Sequence, residues 1–124
     1  MSKKRIEKYI PDAMQVLNET FEKGVIPSSY NGYISSFGAS VIQSGLKPTL
    51  ALFENKNANT EEKKQLLTSI ILQVLDKDAK ETSLLKYVLH KSNETYLKQQ
   101  ILDISIAIKL CIRTFELDKG AKDE

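Results

Sequence analysis

The sequence predicts an all-α fold, a compact bundle of about six helices, two of them short. Three observations carry that expectation. Apolar residues recur at a period near 3.6, no run alternates polar with apolar, and the five glycines and three prolines gather at a few breaks. The first segment sets Ile6, Ile10, Ala13, Leu17 and Phe21 on one face and should end at Gly24, a residue suited to a left-handed C-cap. Pro11 interrupts it, so either the helix kinks there or residues 1–10 form a separate basic arm. After the loop at Pro27-Ser28-Ser29, a second stripe of Tyr30, Ile34, Phe37 and Val41 should stop at Gly45, with Leu46 placed for the apolar contact of a Schellman ending. Lys47-Pro48 then opens a short third helix carrying Leu50, Leu52 and Phe53.

Asn55 to Thr60 reads as a polar loop. Asn59 and Glu62 have the spacing of a capping box, and the helix they open bears Leu66, Leu67, Ile70, Ile71, Val74 and Leu75. Asp78 and Glu81 repeat that spacing before a short fifth helix with Leu84, Leu85, Val88 and Leu89. The sixth segment runs from about Asn93 to Leu117 on a stripe of Leu97, Ile101, Ile104, Ile108, Cys111, Ile112 and Phe115. Ile106 and Leu110 add apolar surface beyond it, which marks the helix as central. The 124 residues suit one helical domain over 1–124, with 118–124 fraying.

Hydrophobic residues at 41% and charged residues at 27% are the balance of an ordinary globular chain. The most apolar run, Ile101 to Ile112, is too short to cross a bilayer and holds Asp103 and Lys109. A single cysteine points to a reducing compartment, and with no apolar stretch behind the basic start the expected location is the cytoplasm. Lys and Arg number 18 against 16 Asp and Glu, a net charge of +2, so any nucleic-acid contact must come from a local patch or a groove built with partners.

Catalysis finds no constellation. One His90 and one Cys111 leave no cluster with metal-ligand spacing, and Cys111 lies in the apolar stripe, where a cysteine serves the core. His90 suits a solvated helix end, Glu61-Glu62 suit a helix first turn, and Asp76 and Asp78 flank a junction. No enzyme activity, cofactor, metal or small-molecule substrate is expected. Binding surfaces are more informative. Along the last helix Lys98, Ser105, Lys109 and Arg113 fall on one narrow strip, roughly 22 Å long at about 1.5 Å per residue. Such a strip can track phosphates, although any central helix must also show something polar to water. Lys3, Lys4, Arg5 and Lys8 read as a solvated terminus, and Lys63-Lys64 as a helix face paired with Glu61 or Glu62. Tyr30, Tyr33 and Phe37, with Gly32 and Gly38 among them, mark either a contact surface or an internal helix crossing.

The string from Tyr30-Asn31-Gly32-Tyr33 through Gly45-Leu46 to Lys47-Pro48-Thr49-Leu50-Ala51-Leu52-Phe53 resembles the small subunit of type III-B CRISPR–Cas effectors, the Cmr complex. Tyr96 through Phe115 is similar to that family's last helix, although the tryptophan often found there is absent and Leu110 or Cys111 stands near its place. The resemblance implies an all-helical, non-catalytic subunit of an antiviral RNA-targeting machine. Copies of it stack along the complex backbone beside other Cmr subunits and line the groove holding guide RNA and target RNA. The RNA-contacting positions it implies are Lys109 and Arg113, with Lys98 on the same strip and Lys47 a further candidate. The rival reading is a helical adaptor that binds a protein partner without nucleic acid.

Overall fold

A computed structural model describes residues 3–55 and 61–118. Its order is α1 (Lys3–Glu7), α2 (Ile10–Thr20), β1 (Val25–Pro27), α3 (Ser29–Ser44), α4 (Leu46–Phe53), α5 (Glu61–Leu75), α6 (Leu84–Leu89), α7 (Glu94–Ile112) and β2 (Glu116–Asp118). The expected all-α class is observed, with α1 and α6 the shortest helices. The capping pair expected at Asn59, the rest of the loop beyond Asn55 and the tail after Asp118 lie outside the described residues.

Pro11 sits in the first turn of α2, where its missing N–H is not needed, and the break falls just before it at Lys8-Tyr9. Residues 3–10 are not a free basic arm. Ile6 and Tyr9 are buried, and α1 lies on α7. There Arg5 Nε donates to Asp103 Oδ2 at 3.0 Å, Gln99 Nε2 donates to Asp103 Oδ1 at 3.0 Å, and Gln100 Nε2 donates to the Tyr9 hydroxyl at 3.3 Å. Asp103 is 2% exposed, so these donors replace the water the carboxylate lost.

The helix ends differ from expectation in several places, each for a local reason. α2 stops at Thr20 rather than Gly24, with the Phe21 N–H closing on the Leu17 carbonyl at 2.8 Å. Gly24, at φ 74°, serves the turn that follows. Gly45 ends α3 as expected, but φ 99° and ψ 162° put it outside the left-handed helical well, in a positive-φ conformation suited to glycine. The chain therefore swings straight into α4, and no Schellman turn closes. The cap of α6 is Ser83, not Asp78: its Oγ accepts from the Lys86 N–H at 3.2 Å and donates to the carboxylate of Glu54, which also accepts from the Leu85 N–H. Asn93 caps α7 by accepting from the Tyr96 N–H at 3.1 Å.

α7 is the centre of the bundle, packed against α1, α2, α3 and α5. Leu97, Ile101, Ile104, Ile108, Cys111 and Ile112 supply its part of the core, as their stripe predicts. Phe37 and Phe53 join α3 to α4 edge to face at 5.3 Å, and Ser40 and Thr49 share a hydroxyl hydrogen bond of 2.7 Å. The last helical segment does not reach Leu117. It ends at Ile112, and Glu116–Asp118 turns into a strand pairing parallel with β1, Ile26 opposite Leu117. With Ile26 fully buried and Leu117 packed on the core, this short ladder fastens the start of the bundle to its far end.

Candidate functional site

Helix geometry sorts the residues of α7. Advancing about 100° per residue from Lys98, the positions Lys98, Lys109, Leu102, Arg113, Ile106, Gln99 and Leu110 fall in that order within an arc of about 120°. All of them are exposed or half-buried, and every buried position of α7 lies outside that arc. The neighbours that border it are identifiable. On one side is Ser105, above which a Cβ on Gly38 of α3 would stand 3.8 Å from its Oγ. On the other is Asp103, held by Arg5 of α1. The Gly38–Ser105 approach and the 3.1 Å ion pair between Lys47 and Glu94 set α3 antiparallel to α7.

The anticipated strip is therefore kept in part. Lys98 and Lys109 are half-buried beside α3, and Arg113 caps the helix and is exposed. Among the described residues none of the three takes part in an ion pair, and no acidic residue lies on the arc. Ser105 does not belong with them. It is 4% exposed and its hydroxyl donates to the Leu102 carbonyl at 2.7 Å, because the absent side chain of Gly38 lets α3 cover it. Lys47 lies off the arc on α4, with its ammonium held by Glu94.

Three features escaped the sequence reading. Ile106 and Leu110, expected to be covered by neighbours, lie with Leu102 on the open arc beside the cations. Arg5 is tied to α7 rather than solvated, and the signal was Asp103, a lone acid in the most apolar run, which needs a donor from elsewhere. Lys64 folds its ammonium over the rings of Tyr33, at 5.7 Å, and Phe53, at 5.3 Å, while Lys63 reaches Ser29 Oγ at 3.4 Å. The pairing expected with Glu61 or Glu62 concerns side chains outside the described set. Tyr30 and Phe37 are buried, so the aromatic cluster of α3 is an internal crossing; burial and the neighbouring Tyr33 push the Tyr30 phenol up to about 12. Gly32 has open space where a Cβ would stand, so no close approach within the chain explains it.

Other reactive groups are accounted for by the fold. Burial pushes the Cys111 thiol up, and its Sγ lies 3.8 Å from the Ile10 carbonyl. His90 caps α6 in the open and meets Glu81 at 3.1 Å, a hydrogen bond that draws the Glu81 carboxyl below its usual value. A cleft of about 480 Å³ opens between α4, α5 and α6, lined by Ala51, Glu54, Gln65, Thr68, Ser83 and Lys86. Glu54, the carboxylate among its described lining residues, is committed to the α6 cap. Among the described residues no group of three or more His, Cys, Asp or Glu is placed to hold a metal ion, and no helix is long and apolar enough to cross a membrane.

A protein-family model described as CRISPR-associated protein (Cas_Cmr5) matches residues 5–109. No curated protein and no solved structure matches the chain. Lys47, Lys98 and Lys109 fall inside the matched span, and Arg113 with β2 falls beyond it.

Proposed function

The chain belongs to the Cas_Cmr5 family, the small subunit of the type III-B Cmr complex, and on that premise we propose that it is a non-catalytic subunit contacting the phosphates of guide and target RNA. Copies of it stack along the backbone of the complex, in the cytoplasm, beside other Cmr subunits. The observation that supports RNA contact is the open arc of α7, where Lys98, Lys109 and Arg113 stand without acidic partners among the described residues, at both ends of a surface roughly 22 Å long at about 1.5 Å per residue. Lys47 sits near the Lys98 end and must leave Glu94 to reach a phosphate.

A modest net charge suits this role. Base pairing reads the sequence, so the subunit need only feel the backbone, and a row of copies multiplies a few weak contacts. The test is the purified complex carrying Lys98→Gln, Lys109→Gln and Arg113→Gln. RNA retention should fall, and the slope of log affinity against log salt should shrink by about one per lost phosphate contact. An unchanged slope, with all protein subunits still present, would leave the protein-only adaptor as the better reading.

A further inference from the structure

We propose that α1 is a second phosphate-binding element, in which Lys4 and Lys8, with Lys3 beside them, hold the backbone of an RNA strand. The proposal rests on the reading that this subunit touches RNA, but on residues apart from the open arc of α7.

A helix of five residues does not stand in water by itself, so α1 exists because the bundle holds it. Ile6 and Tyr9 are its buried anchors, Arg5 turns inward to Asp103 at 3.0 Å, and the Tyr9 hydroxyl accepts from Gln100 at 3.3 Å. With those side chains committed, the residues left exposed from Lys3 to Lys8 are Lys3, Lys4, Glu7 and Lys8.

The fold brings like charges together there. The Lys8 N–H donates to the Lys4 carbonyl at 3.2 Å, which sets the two residues one turn apart on the same side. Like charges at that spacing oppose the helix that carries them. Lys3 and Lys4 also occupy its first turn, where the exposed amides favour anions, and no acid stands in that turn. Among the described residues none of the three lysines takes part in an ion pair. The Lys8 ammonium lies 5.1 Å from the centre of the Tyr9 ring, a contact that steadies a cation without neutralising it. Buried anchors thus hold in place a cationic cluster that weakens its own helix, and a polyanion relieves that conflict.

The chemistry favours phosphate over a protein surface. No exposed residue of α1 is apolar, so the helix offers a protein partner nothing to bury, and lysine is depleted where proteins meet. Lysine ammoniums act as point charges that suit phosphate oxygens.

The test is the purified complex carrying Lys4→Gln with Lys8→Gln, measured for target RNA affinity against salt. The slope of log affinity against log salt should shrink by about two, one for each lysine that meets a phosphate. In the isolated chain Lys4→Gln alone, which leaves the Lys8–Tyr9 contact intact, should raise the urea midpoint slightly at low salt, a gain that fades at high salt. An unchanged slope overturns the proposal, and loss of a protein subunit at unchanged slope would assign the lysines to an acidic protein instead. A lowered midpoint also overturns it, since the lysine would then serve the fold. The α7 variants are measured separately. Weakening by those alone sinks this proposal and keeps the arc, and weakening by Lys4→Gln with Lys8→Gln alone does the reverse.

Discussion

On the side of α7 that faces α1, a single carboxylate, Asp103, is shut off from water and held by Arg5 and Gln99; on the open arc, three cations stand with no acidic partner among the described residues. Both sets are charged groups on one helix, yet the first is tied to side chains of the fold and the second is not. A charge that the chain itself neutralises is spoken for.

That contrast can be broken most forcefully in the core. Ile101→Ala, on the buried arc, should lower stability by about 2–5 kcal/mol, whereas Ile106→Ala on the open arc should cost less than about 1 kcal/mol. Urea denaturation measures both, and similar losses would mean that the arc is not open. Next comes the α1 contact. Arg5→Ala leaves a buried carboxylate with one amide donor and should cost about 2–3 kcal/mol, toward the low end for a buried pair because the arginine is itself 43% exposed. Adding Asp103→Leu should recover much of that loss, since an apolar side chain of similar size needs no partner. No recovery would show that Asp103 holds more than α1. Lys109→Gln with Arg113→Gln should shift stability by less than about 0.5 kcal/mol while reducing RNA retention, and a cooperative loss of structure would erase the distinction.

The smallest effect is a pH dependence. The His90 hydrogen bond lowers the folded Glu81 pKa below 4.5, so its contribution is present above that value and is lost as pH falls through the folded pKa. Between about pH 6 and pH 3 the urea midpoint should therefore drop slightly more in the parent chain than in Glu81→Gln. Equal slopes would place Glu81 among the groups that merely sit at the surface.

Periodicity exposed most of the fold. The stripes of α3, α4, α5 and α7 were legible because each runs long enough to define a face, and Gly45 and Asn93 marked true ends. The cap at α6 was misread because Asp78 and Glu81 carry the same spacing as a capping box, while the real cap needs the Glu54 carboxylate from another helix. β1 and β2 left no trace in the pattern, being too short to show alternation and paired across most of the chain. The candidate site was half legible. Spacing told that Lys98, Ser105, Lys109 and Arg113 share a side of α7, but not that Gly38 lets α3 close over Ser105. Nor could it tell that Leu102, Ile106 and Leu110 would stay beside the cations, since which face is open depends on where α1 and α3 land.

The central place of α7 bears on how the protein is made. α1, α2, α3 and α5 all lean on a helix that leaves the ribosome after every one of them, and β1 waits longer still for β2. The native contacts around α7 join distant parts of the sequence, the kind of topology in which loop closure precedes any reward. Until α7 emerges, the apolar faces of the earlier helices have only one another to cover them, which is the condition under which nascent chains need chaperones most. The bundle can therefore close only once α7 itself has emerged.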